Sequence, residues 1–332
     1  MKDAQNNELK VEPILAFEIE QKDGRGEDAS VCLAMPDSRA ALIACLDGCG
    51  GSGAKKYAEA ENWTGARIAS FLSGRTLSEW FFRNKIDRLG VQDYPADVIA
   101  RSLCQALQEG ISDIQDKLNQ GQAQQGGRLM VSSMIRPFPT TLSAALISPE
   151  EDGSLRCLFL WAGDSRGFIL TRGGLIQITE DDLKERLDPF DNIERDGVLA
   201  NVISAKPFHI NVRDVILREP CVIITATDGC FSYYPSPMEF ENTILETLEH
   251  AGSLREWQEM LVGAIGSVAS DDYTLEALAC GFETFDQLRG FFRPALERFR
   301  EQFGRRMGAC RSREDLRTVW DDYKQYYLRT ER

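Results

Sequence analysis

Acidic turns abut apolar runs at five places in this sequence, and carboxylates so placed have the chemistry of oxygen ligands. Glu27 and Asp28 precede the run from Ala29, Asp47 closes Ala41–Leu46, and Asp164 follows the run ending at Trp161. Asp228 closes Cys221–Thr227, while Asp271 and Asp272 open the run from Tyr273. Taken singly, each is turn chemistry, because Asp and Gly favour tight connections and Asp-Gly is a hairpin signal. Taken together, strands packed side by side would bring these acids to one place, where they repel unless hard cations neutralise them. An all-oxygen set without usable His or Cys points to Mg²⁺ or Mn²⁺.

The stretch after Asp47 offers a second chemistry. Gly48 and Gly53 have the separation of a nucleotide-binding loop, in which backbone N–H groups cradle phosphate. Such a loop needs Lys directly after the second Gly and then Ser or Thr; here Ala54, Lys55, Lys56 and Tyr57 follow. None of the nine cysteines is followed by the Arg that closes a cysteine-phosphatase loop. A Ser-His-Asp hydrolase is poorly served, since neither His209 nor His250 has an informative context. The glycines read instead as a tight turn that lets Asp47 and the Gly48 carbonyl face metal.

Composition narrows the partners. A chain of 332 residues with 43% hydrophobic and 27% charged residues has the make-up of a globular protein of one large domain or two small ones. Runs such as Val222–Ala226 fall far short of the roughly 20 apolar residues that span a bilayer. The N-terminus lacks an apolar signal region, so a cytoplasmic protein without membrane contact is expected. Scattered cysteines in apolar runs (Cys32, Cys157, Cys221, Cys280) fit a reducing compartment, and Cys45 and Cys49 lack nearby histidines for zinc. The net charge of -14 argues against nucleic acid. From Phe282 onward there are 12 Lys/Arg against 9 Asp/Glu, so the acid is concentrated in the body.

The elements that must position the acids follow from periodicity. Strands are expected at Ile14–Glu20, Ala29–Met35, Ala41–Leu46, Thr141–Ile147, Leu155–Trp161, Phe168–Thr171, Leu175–Thr179, Val212–Leu217, Cys221–Thr227 and Tyr273–Cys280. Helices are expected at Ala54–Leu72, Leu77–Leu89, Ala96–Leu118 and roughly 237–268. Residues 119–128 read as an exposed loop and 180–210 as a charged flap. In the tail, Leu288, Phe292, Leu296, Phe299 and Phe303 have helical spacing, as do Leu316, Val319, Trp320, Tyr323 and Tyr327. Pro294 would start or kink the first tail helix. Blocks of strands and blocks of helices, rather than strict alternation, favour an α+β layered fold.

In chain order the sequence carries Glu27-Asp28-Ala29, Asp47-Gly48-Cys49-Gly50-Gly51, Thr140-Thr141, Gly163-Asp164-Ser165-Arg166, Thr227-Asp228-Gly229 and Asp271-Asp272-Tyr273-Thr274. This ordered set resembles the metal-dependent type 2C (PPM) Ser/Thr protein phosphatases. The resemblance implies two packed antiparallel sheets flanked by helices over residues 1–281, with 282–332 as a C-terminal helical extension. It implies two and up to three Mn²⁺ or Mg²⁺ ions. Asp47 would bridge two of them, Gly48 would offer its carbonyl, Asp228 and Asp271 would hold one, Glu27 and Asp28 the other, and Asp164 a third. The implied reaction is in-line attack of a metal-bridging water on a phospho-Ser or phospho-Thr protein, opposing a Ser/Thr kinase.

Three positions depart from the family's pattern. Its phosphate-binding Arg is replaced at the matching positions by Asp23 and Gly24, which leaves Arg25 as the candidate and Lys22 as a weaker one. Cys49 stands where eukaryotic members have a candidate general acid His, and Pro139 stands where Gly is common. The displaced Arg keeps a second reading open: a catalytically silent phosphatase-like protein, with the tail or the flap as its partner surface.

Overall fold

The computed structural model describes residues 11–35, 37–124, 137–195 and 197–329. The chain opens with strands β1 (Val11–Ile19), β2 (Ala29–Leu33) and β3 (Ala41–Leu46). One helical turn, α1 (Gly50–Gly53), and a hairpin of β4 (Lys56–Tyr57) and β5 (Trp63–Thr64) lead into α2 (Gly65–Arg83). A short α3 (Ile86–Leu89) and the long α4 (Ala96–Gln124) follow. Next come β6 (Leu142–Pro149), β7 (Leu155–Ala162), β8 (Arg166–Thr171) and β9 (Gly174–Gln177). Helix α5 (Pro189–Arg195) separates β9 from β10 (Asn211–Leu217) and β11 (Cys221–Ala226). Helices α6 (Pro237–His250) and α7 (Leu254–Gly266) precede β12 (Tyr273–Cys280). The tail forms α8 (Phe285–Phe299), α9 (Arg305–Ala309) and α10 (Arg313–Tyr327).

The strands form two antiparallel five-stranded sheets, ordered β1-β12-β11-β8-β9 and β10-β7-β6-β3-β2. Ile43, Ala145, Phe159, Ile169, Ile223 and Leu278 fill the layer between them. Helices α2 and α4 cover the outer face of the second sheet through Phe81 and Leu107. Helices α6, α7, α8 and α10 cover the first through Phe240, Trp257, Phe292 and Trp320. With both faces covered, central strands read as unbroken apolar runs: all six residues of β3 are buried. The expected two-sheet fold with a C-terminal helical extension is what the chain adopts. Among the described residues, no helix is long and apolar enough to cross a membrane.

Several element boundaries differ from the sequence reading. The helix expected from Ala54 begins only at Gly65, because residues 56–64 form the small hairpin, closed by left-handed Glu61 and Asn62. Thr64 then caps α2, its hydroxyl accepting the Arg67 N–H at 3.1 Å. Leu77–Leu89 is not one helix; α2 runs through to Arg83 and a left-handed Lys85 breaks the chain before α3. Residues 119–124, read as loop, continue α4, as Gln and Ala readily do, and 125–128 lie outside the described residues. The 237–268 helix is two, parted at Ala251–Ser253, where the Ser253 hydroxyl caps α7. Pro294 lies inside α8 rather than at its start. The apolar stripes of the tail helices are spent within the molecule: Leu288, Phe299, Phe303, Trp320, Tyr323 and Tyr327 all join the core under the first sheet.

Candidate functional site

At one edge of the sandwich, loops from both sheets meet. Asp47 and Gly48 leave β3, Asp164 lies in the β7–β8 turn, Asp228 leaves β11 and Asp271 precedes β12. Together with Glu27, Asp272 and the Cys49–Ser52 turn they line one pocket. Asp28 sits behind its wall, buried, and its carboxylate accepts the Thr227 hydroxyl at 2.9 Å. The Thr227 oxygen in turn accepts the Thr274 N–H at 2.9 Å, so this buried acid is tied to both β11 and β12.

Backbone bonds aim the central acid. The Asp47 carbonyl accepts the Thr141 N–H and the Thr140 hydroxyl, both at 2.8 Å, and the Asp47 N–H donates to the Thr141 hydroxyl at 3.1 Å. The Thr pair of the sequence motif is thus a cradle for Asp47. Glu27 is held from three sides. Its carbonyl accepts the Gly48 N–H at 3.2 Å, its carboxylate accepts the Thr64 hydroxyl, and its N–H donates to Asp272 at 2.8 Å.

The glycines that follow the acids serve close approach, not the left-handed turn expected of an Asp-Gly pair. Neither Gly48 nor Gly229 has positive φ. A Cβ on Gly48 would lie 2.7 Å from the Glu27 carbonyl oxygen, and one on Gly229 only 2.0 Å from that of Asp272. Only glycine lets these backbones touch.

The electrostatics are those of crowded like charge. Burial first, and then Asp228, Asp28, Asp164 and Asp271, push the Asp47 carboxyl well above the usual carboxylate range. Asp164 and Asp28 are raised chiefly by burial, as are Glu27 and Asp271 to a smaller degree. Among the described residues, no three Asp, Glu, His or Cys side chains stand close enough to enclose an ion by themselves. The acids are spread around one pocket rather than closed into a cage. An open, oxygen-only donor set of mutually repelling carboxylates suits hard divalent ions that keep several waters as ligands. Cys49 also faces the pocket; burial, then Asp47, Asp164 and Asp228, push its thiol up.

Arg25 is not brought to the site. It is exposed on the turn after left-handed Gly24, where its N–H donates to the Lys22 carbonyl at 2.9 Å. Lys22, the weaker alternative, is the cation whose field acts on Asp271. The cations that line the pocket are Lys184 and Lys206, both from the 180–210 segment expected as a charged flap.

That segment is stitched to the Asp164 turn. The Asp182 N–H donates to the Gly163 carbonyl at 3.0 Å, and the Asp182 carboxylate accepts the Gly163 N–H at 3.1 Å and both the Asn201 and Asn211 amides. Next to it, Asp181 forms a buried bidentate pair with Arg166 at 2.9 and 2.7 Å. The only hint of these partners was Arg166 inside the Asp164 motif. Gly163–Gly167 also spells G-x-S-x-G, but Ser165 is buried and hydrogen-bonded to Thr141 at 2.6 Å, with no histidine as its partner.

No family profile matches the sequence, and no curated protein matches it. Solved structures do match the fold. A bacterial serine phosphatase superposes with a TM-score of 0.58 at 16% identity, covering 82% of this chain and 98% of its own. The catalytic domain of the serine/threonine protein phosphatase PstP, in complex with two manganese ions, gives 0.52 at 19%, covering 82% and 99%. The Staphylococcus aureus serine/threonine phosphatase Stp1 gives 0.56 at 16%, covering 83% and 95%. The chain has the fold of the type 2C protein phosphatases. In this type 2C fold the acid-lined pocket lies where the loops of both sheets converge, and almost the whole of each matched structure is contained within about four-fifths of the chain.

Proposed function

We propose that the protein is an Mg²⁺- or Mn²⁺-dependent phosphatase that removes phosphate from phospho-Ser and phospho-Thr of proteins. One observation carries the reading: Asp47, Gly48, Asp164, Asp228 and Asp271, drawn from both sheets, line one pocket. Asp47 and the Gly48 carbonyl would serve two ions, with Asp228 and Asp271 on one, Glu27 and Asp28 toward the other, and Asp164 for a third. Bound there, the cations would supply an acidified water as nucleophile and neutralise charge as the phosphoester breaks.

The chain's own residues do the rest. Thr140 and Thr141 fix the Asp47 backbone, so its carboxylate is aimed before substrate arrives. Lys184 and Lys206 supply positive charge on the pocket wall for the phosphate dianion, the task the sequence reading gave to Arg25. Asp272 lines the pocket and holds Glu27 by its backbone. The substrate class is the product of a Ser/Thr kinase.

A phosphatase-like binding protein without catalysis is the second reading, supported by the exposed position of Arg25. Phosphate release from p-nitrophenyl phosphate and from a phosphothreonine peptide, in Mn²⁺, Mg²⁺ or EDTA, separates the two. Release with either ion and none in EDTA supports catalysis. Mn²⁺ binding without release from either substrate supports the second reading, and full activity in EDTA would sink the metal chemistry altogether.

A further inference from the structure

We propose that the C-terminal helix α10 is an internal brace that positions the pocket's lysine-bearing wall, with Arg313, Arg317 and Trp320 as its positioning residues. What this says of substrate rests on the phosphatase reading; what it says of the wall does not.

Helix α5 has seven residues, too few to be stable alone. Helix α10 grips it by several side chains. The Trp320 indole N–H donates to Asp188 at 2.7 Å, the same carboxylate oxygen that accepts the Phe190 N–H at 2.9 Å at the start of α5. The Trp320 and Phe190 rings lie stacked, with centroids 6.2 Å apart and planes 20° from parallel. Arg313 lies over the Phe190 ring at 4.4 Å, donates to its carbonyl at 2.8 Å and pairs with Glu194 at 3.0 Å. Arg317 pairs with Asp191.

From α5 the grip reaches the pocket in two steps. Asn192 donates to Asp181 at 2.9 Å and accepts the Gly197 N–H at 3.0 Å. The Lys184 N–H then donates to the Val198 carbonyl at 2.9 Å, and Lys184, Val198 and Leu199 are pocket wall. A second route runs through the end of α10. The buried Tyr327 lies close enough to the Arg166–Asp181 pair for both charges to act on its hydroxyl, and Arg166 is two residues from Asp164. Besides its anchors at Asp182, at the Thr140–Ile203 bridge and at Ala205, the wall is thus tied to the tail through α5.

The consequence is a division of labour. The brace acts on how well the phosphoester is received at Lys184, and it leaves the acids on β3, β11 and β12 where they are. Arg313 and Arg317 are partly exposed, so replacing them spares the core.

The test uses the full chain and its Arg313→Ala/Arg317→Ala double variant. Amide hydrogen exchange should quicken at least tenfold across residues 183–195 and 197–203 and stay unchanged in β3 and β11. With saturating Mn²⁺ and a phosphothreonine peptide, KM should rise at least fivefold while kcat stays within twofold. Trp320→Phe keeps the ring but deletes the indole donor, and should shift KM in the same direction by a smaller factor. Arg313→Lys/Arg317→Lys keeps both charges and should return KM to within twofold of the parent. Unchanged exchange in the double variant overturns the brace, as does faster exchange spread over both sheets. Faster local exchange with unchanged KM, or a fall in kcat alone, overturns its role in receiving substrate. If the parent releases no phosphate from any peptide, the phosphatase reading fails, and the exchange experiment still judges the brace.

Discussion

The Asp272 carboxylate accepts the backbone N–H of Glu27 at 2.8 Å, across a separation of 245 residues. Its second oxygen accepts the Gln21 N–H at 2.7 Å, so one side chain clamps both ends of the turn that carries Glu27 and Asp28. Asp272→Ala releases that turn without deleting a candidate ligand. Partners of ligand residues typically matter 10- to 100-fold for metal affinity. The Mn²⁺ concentration for half-maximal binding, followed by calorimetry, should rise by about that factor. Asp272→Asn, which keeps one acceptor oxygen, should fall between. An unchanged affinity in Asp272→Ala would show that the Glu27 turn holds itself.

Asp47→Asn removes one charge from a cluster in which each member repels the others. Phosphate release should drop by about 100-fold or more, since a metal-held nucleophile accounts for several kcal/mol of the barrier. Thermal melts supply a second readout. Without divalent ions the variant should melt no lower than the parent, because like charge has been relieved. Added Mn²⁺ should raise the melting temperature of the parent and leave that of the variant nearly fixed. A variant that melts far lower in EDTA would show Asp47 to be a structural residue.

Gly229→Ala places a methyl group 2.0 Å from the Asp272 carbonyl oxygen, so the Asp228 and Asp271–Asp272 loops must separate. A loss of roughly 3 kcal/mol or more is expected, as for other overpacked backbone contacts. Gly51→Ala is the control, because a Cβ there meets nothing within 4 Å, and it should stay within about 0.5 kcal/mol. Urea melts of the two variants side by side decide the matter; equal losses would mean that the contact yields easily.

Glu241 on α6 is buried and accepts the Tyr323 hydroxyl from α10. Burial raises its carboxyl from 4.5 to about 7, partly offset by Tyr323, by the Leu175 backbone and by the charge of Arg298. A carboxyl raised on folding contributes stability that is fully present below the unfolded value and is lost as pH rises through the folded one. A tenfold difference in proton affinity between the folded and unfolded chain is worth about 1.4 kcal/mol. Between pH 5 and 8 the parent should therefore lose roughly 2 kcal/mol more than Glu241→Gln. Glu276, also raised to about 7, acts equally in both proteins and drops out of the comparison. Parallel stability curves across this range would contradict the expectation.

Strand ends were the legible part of the site. Runs such as Ala41–Leu46 and Cys221–Ala226 are buried on both faces, so they stand out as apolar and stop sharply at Asp47 and Asp228. Asp271 and Asp272 are adjacent and identical in type, and only the backbone path decides that one faces the pocket while the other also grips Glu27. Spacing along the chain suggested Arg25, but that side chain is exposed and is not among the residues that line the pocket. Lys184 and Lys206 gave no pattern, because their segment owes its shape to Asp181, Asp182 and Trp320 rather than to any period. The start of α2 was misplaced for a related reason: apolar spacing does not register two left-handed residues, Glu61 and Asn62.

Asp47 hangs from one sheet and Asp228 from the other, and this has a mechanical side. Their repulsion acts across the seam of the sandwich and tends to part the two sheets at this edge, while the apolar layer behind it holds them shut. Neutralising these charges, as bound divalent ions would, relieves that strain and tightens the seam. Its resistance to local unfolding and to proteases would then follow the ionic make-up of its surroundings, with no change in any packing contact.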